Sequence, residues 1–385
     1  MPKIGTNRPD LRGESRLTAL RCQAQLLSGP PVTDAVGVAE RLLAVQAQDA
    51  RGFRLAVRSR TTGVMVDDLE RALTLDRSLV VTTLNRGTLH LVRAEDYWWL
   101  HALTTPPLFT GSARRLAETG LDPRQTQLGV EVVESALGAE GPLTRPELRA
   151  RLDTAGVPTG GQALIHVLML TALRGLTVRG PMRDGQQAWV LVADWLGAPP
   201  PPLDRGEALA ALARRYLAGH GPADDRDLAR WAGLPLRDAR AGLSAIADEL
   251  TEMGGGSDLG PGGGVVRLAR APTVAELPSP RLLGAFDPLL LGWCDRQPIV
   301  GDNRTLVTDN GLFRPFALVE GRAVATWRMS SPTLTIRPFE RLAPPTRAAL
   351  TDEAAKVGAY LRLEPTPTAV FEPSRPQGDN SRTLE

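Results

Sequence analysis

"GPLTRPELRARL" (141–152) and "GPADDRDLARWAGL" (221–234) are two versions of one local design. Each follows a run with helical spacing, GVEVVESALGAE (129–140) in one case and GEALAALARRYLAGH (206–220) in the other. Gly-Pro breaks each run, because proline lacks the N–H that would continue a helix. A polar residue then opens a short helix: Thr144 in the first copy, Asp224 or Asp225 in the second. The first copy continues with an apolar helix over Gln162–Leu173. "LTVRGPMRDGQQAWVLV" (176–192) then reads as two strands around Asp184-Gly185. The second copy continues with a helix over Leu236–Leu250, a glycine-rich stretch (253–264) and the strand VVRLA (265–269). Helix, helix, helix, hairpin is the order of a winged helix, a variant of helix-turn-helix.

The N-terminal region repeats the pattern. Leu17–Leu27 reads as a helix, Thr33 or Asp34 caps a second, and Val66–Leu73 forms another. "LVVTTLNRGTLHLV" (79–92) alternates with period two, as strands do. The C-terminal part differs. "FALVEGRAVATWRM" (316–329) is a hairpin with a Glu320-Gly321 turn, and TLTIRPFE (333–340) is a further strand. Asp287-Pro288 reads as a helix start, with aspartate capping and proline at the first position. The fold expected is α+β: three tandem winged helices (1–125, 126–200, 203–275), a small β-barrel or β-hairpin region (280–372) and a disordered polar tail (373–385).

A chain of 385 residues, 42% hydrophobic and 23% charged, is that of a globular protein with real cores. No apolar run is long enough to cross a bilayer, and the first fifteen residues lack the apolar core of a secretory signal. Cys22 and Cys294 are the only cysteines, so neither a disulfide framework nor a clustered-cysteine zinc site is expected. The scattered histidines give no ligand spacing, and no metal or cofactor is expected. These features point to the cytoplasm. Net charge is only +2, but Met1–Gln125 holds 17 basic and 13 acidic residues, a net of +4. Arg51, Arg54, Arg58 and Arg60 crowd within ten residues; they form either a face for a phosphate-bearing partner or a solvated surface.

Those arginines follow "RLLAVQAQDA" (41–50). Residues two apart on a helix point about 200° from each other. In an extended segment they share a side. Gln46 and Gln48 therefore act as a pair only if the helix ends near Val45. Each carboxamide offers two donors and an acceptor, enough to grip a water or a polar ligand without charge. The alternative is a pair of solvent-facing or backbone-bonded side chains. Asp49 reads either as an acidic participant, as a helix cap, or as the partner of Arg51 or Arg54 in a salt bridge.

"LLAVQAQDARGF" (42–53), "LVVTTLNRGTLHLVRAEDYWWL" (79–100), "LLGAFDPLLLGWCDR" (282–296) and "GLFRPFALVEGRAVATWR" (311–328) together resemble the AlkZ/YcaQ family of bacterial winged-helix DNA glycosylases. The resemblance runs in the same order from Arg16 to Phe339. It implies tandem winged helices and a small barrel around a concave DNA-binding body. One branch of the family carries Gln-apolar-Gln and acts on bulky adducts and interstrand crosslinks of genotoxic natural products. The other carries Gln-x-Asp. Gln46-Ala47-Gln48 matches the first.

The resemblance implies a monofunctional glycosylase releasing N7-alkylated purines from double-stranded DNA, in repair or antibiotic self-resistance. Gln46 and Gln48 would orient the attacking water, and Asp49 would stabilise the sugar cation or act as base. Arg51, Arg54, Arg58, Arg86, Thr88, His90 and Arg322 are the candidate DNA contacts. His90, Arg86 and Arg322 have bland alternatives: a structural histidine, a pair with Asp96, and an exposed turn. The enzyme is expected to be a monomer near the nucleoid, with no membrane partner. A non-catalytic winged-helix regulator would share the wings but has no use for the glutamine pair. A protein that merely sequesters the toxin is a third reading.

Overall fold

The structure, a computed structural model, describes residues 13–253, 264–273, 275–308, 311–330 and 332–374. The expected tail lies almost wholly outside them, as does most of the glycine-rich stretch at 253–264.

A leading helix α1 (Glu14–Ala24) precedes α2 (Ala35–Leu42), β1 (Val45–Gln46), α3 (Ala50–Arg58), α4 (Val66–Thr74), β2 (Leu79–Leu84) and β3 (Thr88–Arg93). Two helices follow, α5 (Ala94–Thr104) and α6 (Phe109–Glu118). The pattern then recurs as α7 (Pro123–Glu140), α8 (Arg145–Thr154), α9 (Ala163–Leu173), β4 (Thr177–Arg183) and β5 (Gln186–Leu191). After a short α10 (Val192–Leu196) it appears a third time: α11 (Arg205–His220), α12 (Asp225–Ala232), α13 (Leu236–Ser244), β6 (Leu250–Met253) and β7 (Val265–Leu268). In the first copy β1 pairs with β3 between the first and second helices. Single bridges take that place in the others, Leu143 with Trp189 and Ala223 with Val266. The caps form as the sequence suggests. The Asp34 carboxylate accepts from the Gly37 N–H, Glu147 takes both the N–H and the hydroxyl of Thr144, and Asp224 and Asp227 cap reciprocally.

The rest comprises β8 (Arg281–Leu283), α14 (Gln297–Val300), β9 (Phe316–Val319), β10 (Arg322–Ser330), β11 (Thr333–Pro338), α15 (Pro344–Tyr360) and β12 (Thr368–Phe371). These strands form one open sheet in the order β12-β11-β10-β9-β8, with β12 parallel to β11 and the other pairs antiparallel. The expected hairpin is present as β9–β10, but among the described residues the sheet does not close into a barrel. The apolar side of α15 (Leu350, Ala354, Val357) buries the sheet's Leu282, Trp327 and Ile336 instead. Two helix expectations also shrink. The helix from Leu236 stops at Ser244, and Asp287-Pro288 opens only a 3-10 turn over Pro288–Leu290.

The first two copies share one five-stranded sheet, ordered β1-β3-β2-β4-β5. Its alternation separates two environments. Val45, Leu91, Val81 and Leu79 pack with α2, α3 and α4. Val80, Leu84 and Val92 turn to the other side, where Tyr97, Leu100 and Leu103 of α5 join the largest core. Arg60 and Asp287 tie the first copy to the C-terminal part through a fully buried bidentate pair, with Gln25 as a further acceptor. Close by, Gly52 of α3 meets the backbone of Gly284 and Ala285, an approach that a Cβ on either glycine would block.

Candidate active site

The chain leaves α2 at Leu42 through Leu43, whose φ of 63° takes it out of the helix. Val45 and Gln46 are therefore extended, and Ala47 N–H continues the ladder to the Leu89 carbonyl at 2.7 Å. Gln46 opposes His90, and His90 opposes Thr82, so the three stand in one row across β1, β3 and β2. Gln46 is buried at 8% exposure, whereas Gln48 is exposed.

Each carboxamide has its oxygen held. Arg86 Nη2 donates to Gln46 Oε1 at 3.1 Å, and the Leu89 N–H donates to Gln48 Oε1 at 3.3 Å. A guanidinium and a backbone N–H can only donate, so chemistry fixes which end of each amide faces them. Both NH₂ groups point away from these anchors.

Arg86 is not a surface arginine. It lies in the β2–β3 turn, where Asn85, Arg86 and Gly87 all have positive φ (20°, 44° and 76°). Its guanidinium donates to the Arg230 and Trp231 carbonyls at the end of α12, in the third copy of the pattern. Gly233, which ends α12 at φ 71°, packs against the Arg86 backbone so closely that a Cβ would lie 2.8 Å from its nitrogen. Burial pulls the Arg86 guanidinium down to about 10, and the nearby Arg230 and Arg296 add to this. It stays protonated near neutrality. The alternative pair with Asp96 does not form, since Asp96 accepts from Arg93, Arg215 and Trp99.

His90 is buried, and its Nδ1 lies 2.9 Å from the Thr88 carbonyl. Burial, then the charge of Arg86, pushes the imidazole down to about 3, so it is neutral at ordinary pH. Around this row the side-chain oxygens of Thr82 and Thr88 and both polar atoms of the Asn85 side chain are buried without a partner among the described residues. Buried polar groups are rarely left unpaired in a purely structural setting.

Asp49 caps α3, its carboxylate accepting the Gly52 N–H. It pairs with neither Arg51 nor Arg54. Arg54 binds Glu70, and Arg58 forms a shielded pair with Glu353 of α15 at 2.9 Å. Only Arg51 of these three is exposed and without an ionic or hydrogen-bonded partner among the described residues. Arg322 is also exposed, but it begins β10 in the other large sheet, where the neighbouring Gly321 is seated against Thr18 of α1 and Leu277. Gln46, Arg86, Thr88 and His90 thus come together, Gln48 and Asp49 flank them in sequence, and Arg54, Arg58 and Arg322 serve elsewhere. Thr82 and Asn85 were not singled out by sequence reasoning. The Asn-Arg-Gly turn signal at 85–87 was the available clue, since asparagine and glycine tolerate positive φ.

Among the described residues no three His, Cys, Asp or Glu side chains converge as a metal site, and no helix is long and apolar enough to cross a membrane.

The site is thus a row of neutral hydrogen-bonding side chains on a scaffold of repeated helix–hairpin units. Residues 39–360 match the family model for "DNA glycosylase AlkZ-like" proteins, and the chain belongs to that family. Among solved structures it is similar to the Streptomyces sahachiroi DNA glycosylase AlkZ. The identity is 27% and the TM-score 0.74, over 94% of this chain and all of that one. No curated protein matches the chain.

Proposed function

We propose that this glycosylase hydrolyses the N-glycosidic bond of N7-alkylated purines in double-stranded DNA, including bulky and crosslinked adducts, in repair or self-resistance. The observation that carries this reading is the neutrality of the Gln46–His90 row. Alkylation at N7 places positive charge on the base, so the base leaves without being protonated. An enzyme for such a substrate needs no general acid. It needs a held water and a setting that tolerates a cationic sugar.

In this reading Gln46 and Gln48 orient the water beneath the anomeric carbon, a proximity effect able to supply several kcal/mol. Asp49 keeps its cap on α3 and lends negative charge to the oxocarbenium-like sugar. Thr88 and His90 line the place where the sugar and its neighbours sit. Arg51 meets a phosphate, which positions DNA without reading sequence. The three repeats act as winged helices around the duplex. A bulky adduct is awkward to extrude into a pocket of the kind used by base-flipping enzymes. Reading the duplex by its backbone avoids that step. The protein would work as a cytoplasmic monomer at the nucleoid.

The test is base release from duplexes bearing N7-methylguanine and a bulky N7 adduct, by wild type and by Gln46→Ala, Gln48→Ala and the double variant. Release that collapses in the variants while DNA binding persists supports the reading. Tight binding with no release from any adduct refutes it and leaves a non-catalytic DNA-binding protein.

A further inference from the structure

A cleft of about 500 Å³ opens where the two halves of the first sheet meet, lined by Gln48, Leu89, Arg145, Ile165, Arg179 and Trp189 among others. Arg179 stands on β4, between β2 and the edge strand β5 of that sheet. It opposes Val81 of β2 on one side and Trp189 of β5 on the other. Just beyond it the β4–β5 register shifts, between Arg179 and Met182, a bulge of the kind that re-aims a neighbouring side chain. Its guanidinium lies over the Trp189 ring, 3.7 Å from the centroid.

What sets Arg179 apart is the lack of an acceptor. The other shielded arginines have acceptors: Arg21, Arg54, Arg58 and Arg60 pair with Asp227, Glu70, Glu353 and Asp287, Arg86 donates to Gln46 and to the Arg230 and Trp231 carbonyls, and Arg296 donates to the Leu290 carbonyl. Arg179 has no ion pair and donates no hydrogen bond among the described residues, and the same holds for Arg145. Burial, then the like charge of Arg145, lowers the Arg179 guanidinium to about 10. Holding a desolvated cation beside a second cation, with no counter-charge, is unfavourable unless a ligand supplies one. The stack on Trp189 leaves the edge of the guanidinium free for a bidentate oxyanion.

We propose that this cleft is an oxyanion site that grips one backbone phosphate of the DNA strand lying against Gln48, with Arg179 and Arg145 as its donors. The proposal rests on the glycosylase reading for the identity of the strand. Gln48 and Arg179 line the same cleft. Strand β4, which carries Arg179, lies three strand spacings from β1, roughly 14 Å. The phosphate gripped is therefore within a few nucleotides of the sugar that Gln48 would meet. Arg179 and Arg145 are DNA-positioning residues in this scheme and touch no reacting atom.

The experiment is fluorescence anisotropy of the full-length protein on an undamaged duplex and on the same duplex carrying an N7-alkylguanine, over a salt series. Arg179→Met keeps an apolar cover on Trp189 and removes the charge. It should reduce the slope of log K against log salt by about 0.9, the contribution of one phosphate. Arg179→Lys should keep most of that slope. Arg145→Gln, at the half-buried first position of α8, should shift it the same way without touching the Trp189 stack. A neutral methylphosphonate at the gripped linkage should make wild type behave like Arg179→Met. Unchanged slopes in folded Arg179→Met and Arg145→Gln overturn the proposal. So does a change seen only with adducts that carry an acid group, because the cleft would then read the adduct. Absence of base release would refute the glycosylase reading alone, since binding to undamaged DNA still decides the cleft.

Discussion

Arg86 is where the site and the scaffold meet, and removing it separates two accounts of its role. In Arg86→Met, Gln46 Oε1 loses its donor at 3.1 Å, and the Arg230 and Trp231 carbonyls lose theirs. Hydrogen bonds from a charged donor contribute about 1.5–3 kcal/mol each, and orphaning a buried acceptor costs about 1–3 kcal/mol. These terms overlap, because one guanidinium serves all three oxygens. The expected loss of stability is therefore about 2–4 kcal/mol, read by denaturant unfolding. The effect on turnover should be separate. Gln46 would be free to rotate, and a displacement of about 1 Å at a positioned group costs on the order of 10²-fold in rate. Single-turnover base release should fall by that order, with DNA affinity little changed. Arg86→Lys is the sharper variant, because it keeps the charge but a single ammonium cannot bridge Gln46 and the α12 carbonyls together. Lys at 86 with wild-type turnover would refute the positioning argument. Normal turnover with weaker, less salt-dependent binding would return Arg86 to a phosphate contact.

Asp49→Asn preserves the acceptor that caps α3 and should leave stability unchanged. If the charge serves the sugar cation, base release falls about 10-fold or more, as for other groups acting on proton or charge development; wild-type release would leave Asp49 as a cap only. Asp49→Ala should in addition cost about 1 kcal/mol of stability for the lost cap. Asp287→Ala strands Arg60 at zero exposure and should destabilise by about 3–5 kcal/mol in equilibrium unfolding; a loss under 1 kcal/mol would mean the pair is relieved by relaxation or water. Acid should also weaken the fold. His90 and His220 are both buried, and burial holds each down to about 3. Between pH 6.5 and 3 the unfolded chain takes up protons that the folded chain refuses, so stability falls as pH falls through this window. At pH 5 each histidine accounts for about 2 kcal/mol of that loss. The pH dependence should flatten in His220→Gln, and a stability profile equally steep in that variant would count against His220 as a source.

The sequence carried the architecture further than the site. Gly-Pro breaks and capping residues such as Asp34, Thr144 and Asp224 mark helix starts through local hydrogen bonds, so three repeats of one element order could be read along the chain. The open sheet under α15 was harder. Pro344–Tyr360 has little one-sided apolar patterning, and its burial of Leu350 and Val357 depends on strands that arrive from elsewhere. The site divides the same way. That the chain opens out at Val45 and Gln46 followed from the end of α2, a local property, although Gln48 already lies in the bend that leads to α3. That Arg54 and Arg58 face Glu70 and Glu353 did not, because the second of those partners is 295 residues away. Arg86 shows the principle most clearly. Its position beside "TLH" suggested a contact with DNA, and a basic residue in a hairpin turn is normally exposed. Three consecutive positive φ values and a glycine at 233 with no side chain to obstruct it instead turn the arginine inward, onto a helix end 145 residues along the chain. A close approach between distant backbones leaves no periodic trace in a sequence, only an isolated glycine at each end. This is why arginines that composition alone groups as one basic face divide, in the folded chain, into structural braces and the unpaired few available to a phosphate.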